Sequence, residues 1–288
     1  RDYACRETFS SCPEIARPGS VGKLALLHRC TRTGKNPMTK TVLVTGAAGG
    51  IGAGLVEALA EDGWDVLGSD HPATPPAADI RQRCLAWILA DLADLCQDEV
   101  KLETFRAAVL SATESRSLMA IVHNAALQRL GAFSQLSPTD WHETMAVNLM
   151  APVAISRALL PQLQCQHGSI VHIGSIHSQL TKPGFTAYAT SKAALAGLTR
   201  AMAVELGGSV RVNAIEPAAI ATPMLEAGFA DVPDLKAQLE AFHPTGSIGS
   251  STDVARAVLF LLDPANSFLN GCVLPLGGGI HSRLHDPA

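Results

Sequence analysis

The sequence predicts an α/β protein, a doubly wound and mostly parallel seven-stranded sheet with helices on both faces. Three observations predict it. From Met38 onward, short apolar runs alternate with longer helix-period segments, the pattern of strands joined by crossover helices. The composition is aliphatic: 47% of residues are hydrophobic but only 5% aromatic, and there are 24 glycines, which suits buried parallel strands under close-packed helices. The first apolar run leads directly into a glycine-rich turn and then into helical periodicity. A length of 288 residues suffices for one well-buried core and is short for two.

In chain order, "TVLVTG" (41–46) reads as the first buried strand. "IGAGLVEALAEDG" (51–63) has helical period and ends on Gly63, a residue suited to a C-cap. "WDVLGSD" (64–70) is the second strand, followed by the breaker-rich loop "HPATPPAAD". "CLAWILAD" (84–91) is the third, and a helix near 97–111 leads to "LMAIVHNAA" (118–126), the fourth. A long helical region over 138–164 contains Pro152, which should end or kink it. "GSIVHIGS" (168–175) is the fifth strand, 187–206 a helix, and "SVRVNAIEP" (209–217) the sixth strand. Thr252 can cap a helix running through Leu262, and "GCVLPLGGG" (271–279) supplies a seventh strand. No internal repeat or linker interrupts 38–288, so one domain is expected there.

Residues 1–37 differ. They carry seven Lys or Arg against three acidic residues, a net of +4, which leaves −8 for the remainder of a chain whose total is −4. Met38 stands just before the first strand pattern and reads as the natural start. The preceding segment is then expected to be a disordered leader, added or translated from upstream; it makes a poor secretory signal and, Arg-rich and Ser-containing, has a faint resemblance to an organelle transit peptide. The acidic balance gives no electrostatic reason to expect nucleic acid as a partner. No apolar run in the sequence approaches the roughly 20 residues that span a bilayer, so no membrane is expected. Seven cysteines without CxxC pairs read as reduced thiols of a cytoplasmic protein. Ten histidines without ligand spacing suggest no metal.

Gly46, Gly50 and Gly52 follow the pattern TGxxxGxG at the strand-to-helix turn. Glycines there let a pyrophosphate approach bare backbone, whose amides and helix dipole favour an anion. A tight turn with no ligand is the alternative, but the strand before, the helix after and a later acidic residue supply the context a dinucleotide demands. That acid is Asp70, at the end of the second strand. Its carboxylate can accept from an adenosine ribose hydroxyl and repels a 2′-phosphate, and no Lys or Arg occurs between Gly46 and Ile80. NAD is therefore the expected cofactor. Asp91 could meet the adenine amino group, with Leu92 flanking the ring, although Asp also caps helices well.

"AYATSKAAL" (187–195) holds the only tyrosine outside the leader. Tyr188 and Lys192 are four apart on one helix and share a face, either as a surface pair or as a working one. Free tyrosine ionises near pH 10, too high for a neutral-pH base, and a neighbouring ammonium stabilises its phenolate. Such a pair can exchange a proton with a secondary alcohol or ketone while hydride moves to or from a nicotinamide. Ser175, at the end of the fifth strand, could donate to the substrate oxygen as charge develops.

With these residues in this order, the sequence resembles the short-chain dehydrogenase/reductase family over nearly all of 38–288. The matching stretches are "TGAAGGIG" (45–52), "HNAA" (123–126), "VNL" (147–149), "GS" (174–175), "YATSK" (188–192), "RVNAIEP" (211–217) and "GGG" (277–279). The resemblance implies a Rossmann-type fold with Tyr188 as catalytic acid/base and Ser175 positioning the substrate oxygen. It implies that Lys192 lowers the Tyr188 pKa and binds the nicotinamide ribose, and that Asn148 holds a water linking Lys192 to solvent. Asn124 and Ala125 would line the adenosine ribose, and Ile220 and Thr222 would meet the carboxamide. Ile51 and Pro217, inside matched stretches, complete the implied cofactor-binding set. Three departures concern local geometry: His123 and Ala126 in "HNAA", Ala218 in "EPAAIATP", and the lack of Asp in "PLGGG".

The resemblance places a lid over substrate at 223–247, in which Leu225, Phe229, Leu239 and Phe242 could form either an apolar underside or a helix core. His177 and Gln128, together with Gln179 and His243, are candidates to touch substrate. The expected function is an oxidoreductase transferring hydride between NAD(H) and a small-molecule secondary alcohol or ketone, assembled as a homotetramer or homodimer by resemblance. An NADPH-dependent carbonyl or 3-oxoacyl reductase is the alternative. A non-catalytic dinucleotide sensor is the alternative from another class.

Overall fold

A computed structural model describes residues 40–113, 116–229 and 233–284; the expectations for residues 1–37 lie outside them. The elements run β1 (Lys40–Thr45), α1 (Gly50–Glu61), β2 (Asp65–Asp70), α2 (Ala78–Arg83), β3 (Cys84–Leu89), α3 (Leu92–Leu95), α4 (Glu99–Thr113) and β4 (Ser117–His123). They continue through α5 (Pro138–Met145), α6 (Ala151–Cys165), β5 (Ser169–Ile173), α7 (Thr186–Leu206), β6 (Arg211–Pro217) and β7 (Ile220–Ala221). Last come α8 (Pro223–Phe229), α9 (Pro233–Phe242), β8 (Gly249–Ser250), α10 (Ser251–Leu262) and β9 (Val273–Leu276).

The main sheet has seven strands in the order β3-β2-β1-β4-β5-β6-β9, with every pairing parallel. The chain winds outward from β1 to β3, then returns to the other side of β1 at β4. Loops leaving β1 and β4 therefore diverge and open a crevice at the strands' C-terminal ends. Successive residues face opposite layers. Val42 and Val44 pack with Leu55, Leu59, Val254 and Val258 of α1 and α10, while Leu43 between them packs with Phe105, Ile155 and Leu159 of α4 and α6. All of these are buried, so burial on both faces, rather than alternation, sets the apolar strand pattern.

Strand boundaries differ from the sequence reading mostly at the C-terminal ends. The third, fourth and fifth strands stop at Leu89, His123 and Ile173, releasing Asp91, Asn124 to Ala126 and Ser175 into loops. The seventh strand shrinks to Val273–Leu276. The breaker-rich loop ends in a short helix, α2, with Asp79 in its first turn and Arg81 and Arg83 in its last, each complementing the helix dipole. The cap of α10 is Ser250, which forms a capping box with Asp253; Thr252 lies inside the helix.

Pro152 neither ends nor sharply breaks its helix. The α5 and α6 segments join through a π turn, Ala146–Met150, in which the Ala151 amide bonds to the Ala146 carbonyl. Proline has no N–H for the carbonyl four residues earlier, Asn148, and the widened turn absorbs that defect. The continuous run Pro138–Cys165 is 28 residues, long and apolar enough to cross a bilayer, which the sequence reading did not anticipate. Here Ile155, Leu159 and Leu163 are fully buried against the sheet.

The sheet also buries two histidines. His123 and His172 face each other in register across β4 and β5, with ring centroids 5.4 Å apart. His172 Nδ1 lies 2.8 Å from Thr199 Oγ1, whose own proton goes to the Leu195 carbonyl, so Nδ1 is the donor and Nε2 is a bare acceptor. Burial, with Lys192 adding repulsion, drops the His172 pKa to about 3. A group neutral in the fold but protonated below about 6.5 when unfolded removes stability as pH falls through that window. Between pH 7 and 4.5 His172 alone should cost roughly 2.5 kcal/mol. Urea unfolding at the two pH values should show a larger acid-induced loss for the native chain than for His172→Gln; equal losses contradict the buried neutral state.

Candidate active site

The glycine turn is shaped first by packing. Gly46 has φ +64, and a Cβ there would lie 2.6 Å from Ala125 Cα. A Cβ on Gly52 would overlap the Gly46 carbonyl oxygen, so α1 can start only if that position is bare. Thr45 and Asn124 lock the neighbouring loop to this turn. Thr45 Oγ1 accepts from the Asn124 and Ala125 amides, and Asn124 Nδ2 donates to the Gly46 carbonyl at 2.8 Å. The N-cap of α1 is Gly49, without a side-chain cap or an acidic residue in the first turn. First-turn amides at Gly50, Ile51 and Gly52 thus meet the crevice without a side-chain acceptor, a cradle that fits a pyrophosphate.

Asp70 closes the side of this cradle. Its Oδ2 accepts from the Ala48 amide and its Oδ1 from the His71 amide, both at 2.8 Å, which leaves each oxygen a further lone pair. Asp91 caps α3 by accepting from the Ala93 amide and stands 3.4 Å from His71 Nε2. Leu92 is buried in the core behind it, with Leu43 and Leu67. On the opposite rim, Thr222 approaches Gly50 closely, and its hydroxyl accepts from the Leu225 amide to start α8. Pro217, at the end of β6, and Ile220, at the start of β7, are buried.

Ser175, Tyr188 and Lys192 come together at the ends of β5 and α7. Ser175 is 7% exposed and accepts from the His177 amide at 3.2 Å, and its hydroxyl is near enough to the Tyr188 phenol to lower that phenol's pKa. Lys192 is 2% exposed; its Nζ donates to the Ile173 carbonyl at 2.8 Å and lies 5.6 Å from the Tyr188 ring centroid. Asn148, in the π turn, accepts from the Leu127 amide and donates to the Leu127 carbonyl and to Ser191 Oγ. Ser191 in turn donates to the Tyr188 carbonyl, a link that helix periodicity alone did not reveal.

The electrostatics differ from the expectation that Lys192 makes the phenol acidic. Burial pushes the Tyr188 pKa above its ordinary 10, and the neighbouring Ser175 hydroxyl only partly opposes it. Burial also lowers Lys192 to about 8. Both shifts disfavour charge in a dry site. The lysine alone does not outweigh desolvation of the phenolate, so further positive charge is needed.

His177 stacks on Phe185 and meets Tyr188 edge-on. Gln128 is exposed on the loop after β4, while Leu127 beside it makes the Asn148 contacts. Gln179 donates to Glu216 Oε2 at 2.9 Å, tying the loop after Ser175 to β6. Fully buried Glu216 was missed, although an acid inside the apolar run "RVNAIEP" was a signal. In the lid region, Lys236 pairs with Glu226 across α8 and α9 at 2.7 Å. Leu225, Phe229 and Leu239 are half-buried, but Phe242 is exposed. His243 is buried against the C-terminal segment, at a cavity of about 580 Å³ that Arg283 also lines.

A family profile described as enoyl-(acyl carrier protein) reductase matches residues 46–281. An uncharacterized oxidoreductase of Schizosaccharomyces pombe, C922.06, is 34% identical over 244 residues, 84% of this chain and 90% of that one. The 3-oxoacyl-[acyl-carrier-protein] reductase FabG of Chlamydia trachomatis is 29% identical, covering 84% of this chain and 98% of its own. The ligand-free structure of Thermoplasma acidophilum aldohexose dehydrogenase superposes with a TM-score of 0.78 at 26% identity, over 87% of this chain and 97% of that one. The parallel sheet, the glycine cradle and these similarities together identify the chain as an NAD(P)-dependent oxidoreductase that belongs to the short-chain dehydrogenase/reductase family.

Proposed function

We propose that the protein oxidises a secondary alcohol, or reduces the matching ketone, with NAD(H) as the preferred cofactor. The observation that carries this reading is the contact set of Ser175, Tyr188 and Lys192 at the strand ends beside the glycine cradle. Bound nicotinamide would accept or supply the hydride. In the oxidative direction, Tyr188 oxygen takes the carbinol proton as the hydride leaves the same carbon, and in reduction it returns that proton. Ser175, whose oxygen accepts from the His177 amide, would turn its hydrogen from the Tyr188 phenol to the substrate oxygen when substrate binds. Lys192 stabilises the phenolate and has two N–H groups beyond the Ile173 bond with which to hold ribose hydroxyls. Asn148, tied by its side chain to Leu127 and to Ser191 of the tyrosine helix, would hold the relay water that serves Lys192.

Asp70 supports NAD over NADP. A 2′-phosphate would meet its carboxylate, while Arg83 on α2 is committed to Glu57 and Glu61. Tyr188→Phe should bind NADH with unchanged affinity, read by fluorescence, and lose at least about a hundredfold in turnover. Persistent turnover contradicts the assignment. Asp70→Ala should narrow the kcat/KM ratio of NAD over NADP by about tenfold or more, a charge effect of at least ~1.4 kcal/mol. An unchanged ratio, or an initial preference for NADP, removes Asp70 from cofactor selection.

A further inference from the structure

Large apolar side chains are exposed on the loops after β4 and β5, the second of which leads into the helix that carries Tyr188, where a surface would ordinarily be polar. Leu130 is 54% exposed and Phe133 72% exposed on the loop after β4; Leu180 is 47% exposed on the loop after β5. The Gly131 amide donates to the Gly184 carbonyl at 3.0 Å, so the two loops are joined between Leu130 and Phe133 on one side and next to Phe185 on the other. From that junction, ring contacts lead to the reacting phenol. His177 stacks on Phe185 at 4.3 Å with 3° between planes, and meets Tyr188 edge-on at 5.8 Å and 76°. Phe185 also approaches Tyr188 directly, with centroids 6.3 Å apart.

The ring pair has no charge to offer a polyol. Burial, aided by the nearby Lys182 ammonium, lowers the His177 pKa and keeps its imidazole neutral near pH 7. Its Nδ1 is occupied by Thr181 Oγ1 at 2.9 Å, and the Lys182 Nζ lies 4.9 Å from the Phe185 centroid, with no ion pair among the described residues. Exposed apolar patches of this kind mark ligand grooves or interfaces. The main-chain link at Gly131–Gly184 and the ring contacts that run from Phe185 to Tyr188 favour the ligand groove.

Resting on the alcohol–ketone reading above, we propose that the substrate carries a bulky apolar substituent, a ring or hydrocarbon chain, next to the reacting carbon. The His177–Phe185 wall and the Leu130–Phe133 loop would bury it. A polyhydroxylated substrate would leave its hydroxyls unpaired against these surfaces, a strong source of discrimination.

The test uses 1-phenylethanol, 2-octanol, 2-propanol and D-glucose with NAD+ and with NADP+. The two bulky alcohols should exceed 2-propanol and D-glucose in kcat/KM by about tenfold or more. Leu130→Ser combined with Phe133→Ser changes exposed positions and should fold; it should narrow that gap about tenfold through KM, with NADH affinity within about twofold of native. Phe185→Ala should do the same. Oxidation of D-glucose or 2-propanol at rates matching the bulky alcohols overturns the substrate class while leaving hydride transfer standing, provided Tyr188→Phe abolishes it. An unchanged gap in the loop variant together with loss of an oligomer on size exclusion assigns the face to a second copy and overturns the proposal. Absence of oxidation of all four alcohols, with NADH still bound, contradicts both this inference and the alcohol–ketone reading.

Discussion

An ammonium removed from water constrains much of this molecule. Lys192 keeps 2% exposure and a direct bond to the Ile173 main chain. Desolvating such a charge costs several kcal/mol, and one carbonyl does not offset it. The cost appears as a pKa lowered to about 8. To hold that nitrogen in place, α7 must lie close against β5 and the π turn, which Ser191 and Asn148 achieve by bonding each other across that contact. The same packing delivers Tyr188 to Ser175. Stability is sacrificed at a point where a phenol, a hydroxyl and a cradle for an anion meet, the pattern expected of a site rather than of a core.

The two burial shifts give the site a conditional character. Without additional charge, the phenol is held neutral more firmly than a free tyrosine. A nicotinamide cation entering the crevice would add the positive charge that Lys192 alone lacks, so acid–base capacity and cofactor binding become coupled. Proton transfer in the absence of the hydride acceptor would then be suppressed. Glu216, His123 and His172 form a wider buried polar setting around this centre, and the neutral histidines avoid setting a second positive charge against Lys192.

Much of this was legible in the residues. Alternating apolar segments fixed the strand order's raw material, and the run from β1 into Gly46 and Gly52 located the crevice because bare backbone there is a steric necessity. Helix spacing put Tyr188 and Lys192 on one face. Periodicity could not say whether that face was wet or dry, and the sign of the tyrosine shift turns on that distinction. Pro152 was legible as a disturbance but not as a π turn, since the outcome depends on whether packing keeps both flanking helices in line. Glu216 stood out as an acid inside an apolar run, but no local pattern names its partner, Gln179, which lies 37 residues away. The α2 turn was missed because Pro and Ala before it read as loop, whereas its Arg83 is held by α1 carboxylates far along the chain.

Titration of the phenol by ultraviolet difference absorbance tests the central claim most directly. The chain has only two tyrosines, so a Tyr188→Phe blank isolates the signal. The account predicts ionisation above pH 10 for the protein alone, a decrease of at least about one unit with NAD+, and no comparable decrease with NADH. A Tyr188 already ionised near neutral pH without nucleotide, or a titration that NAD+ leaves unmoved, would contradict it.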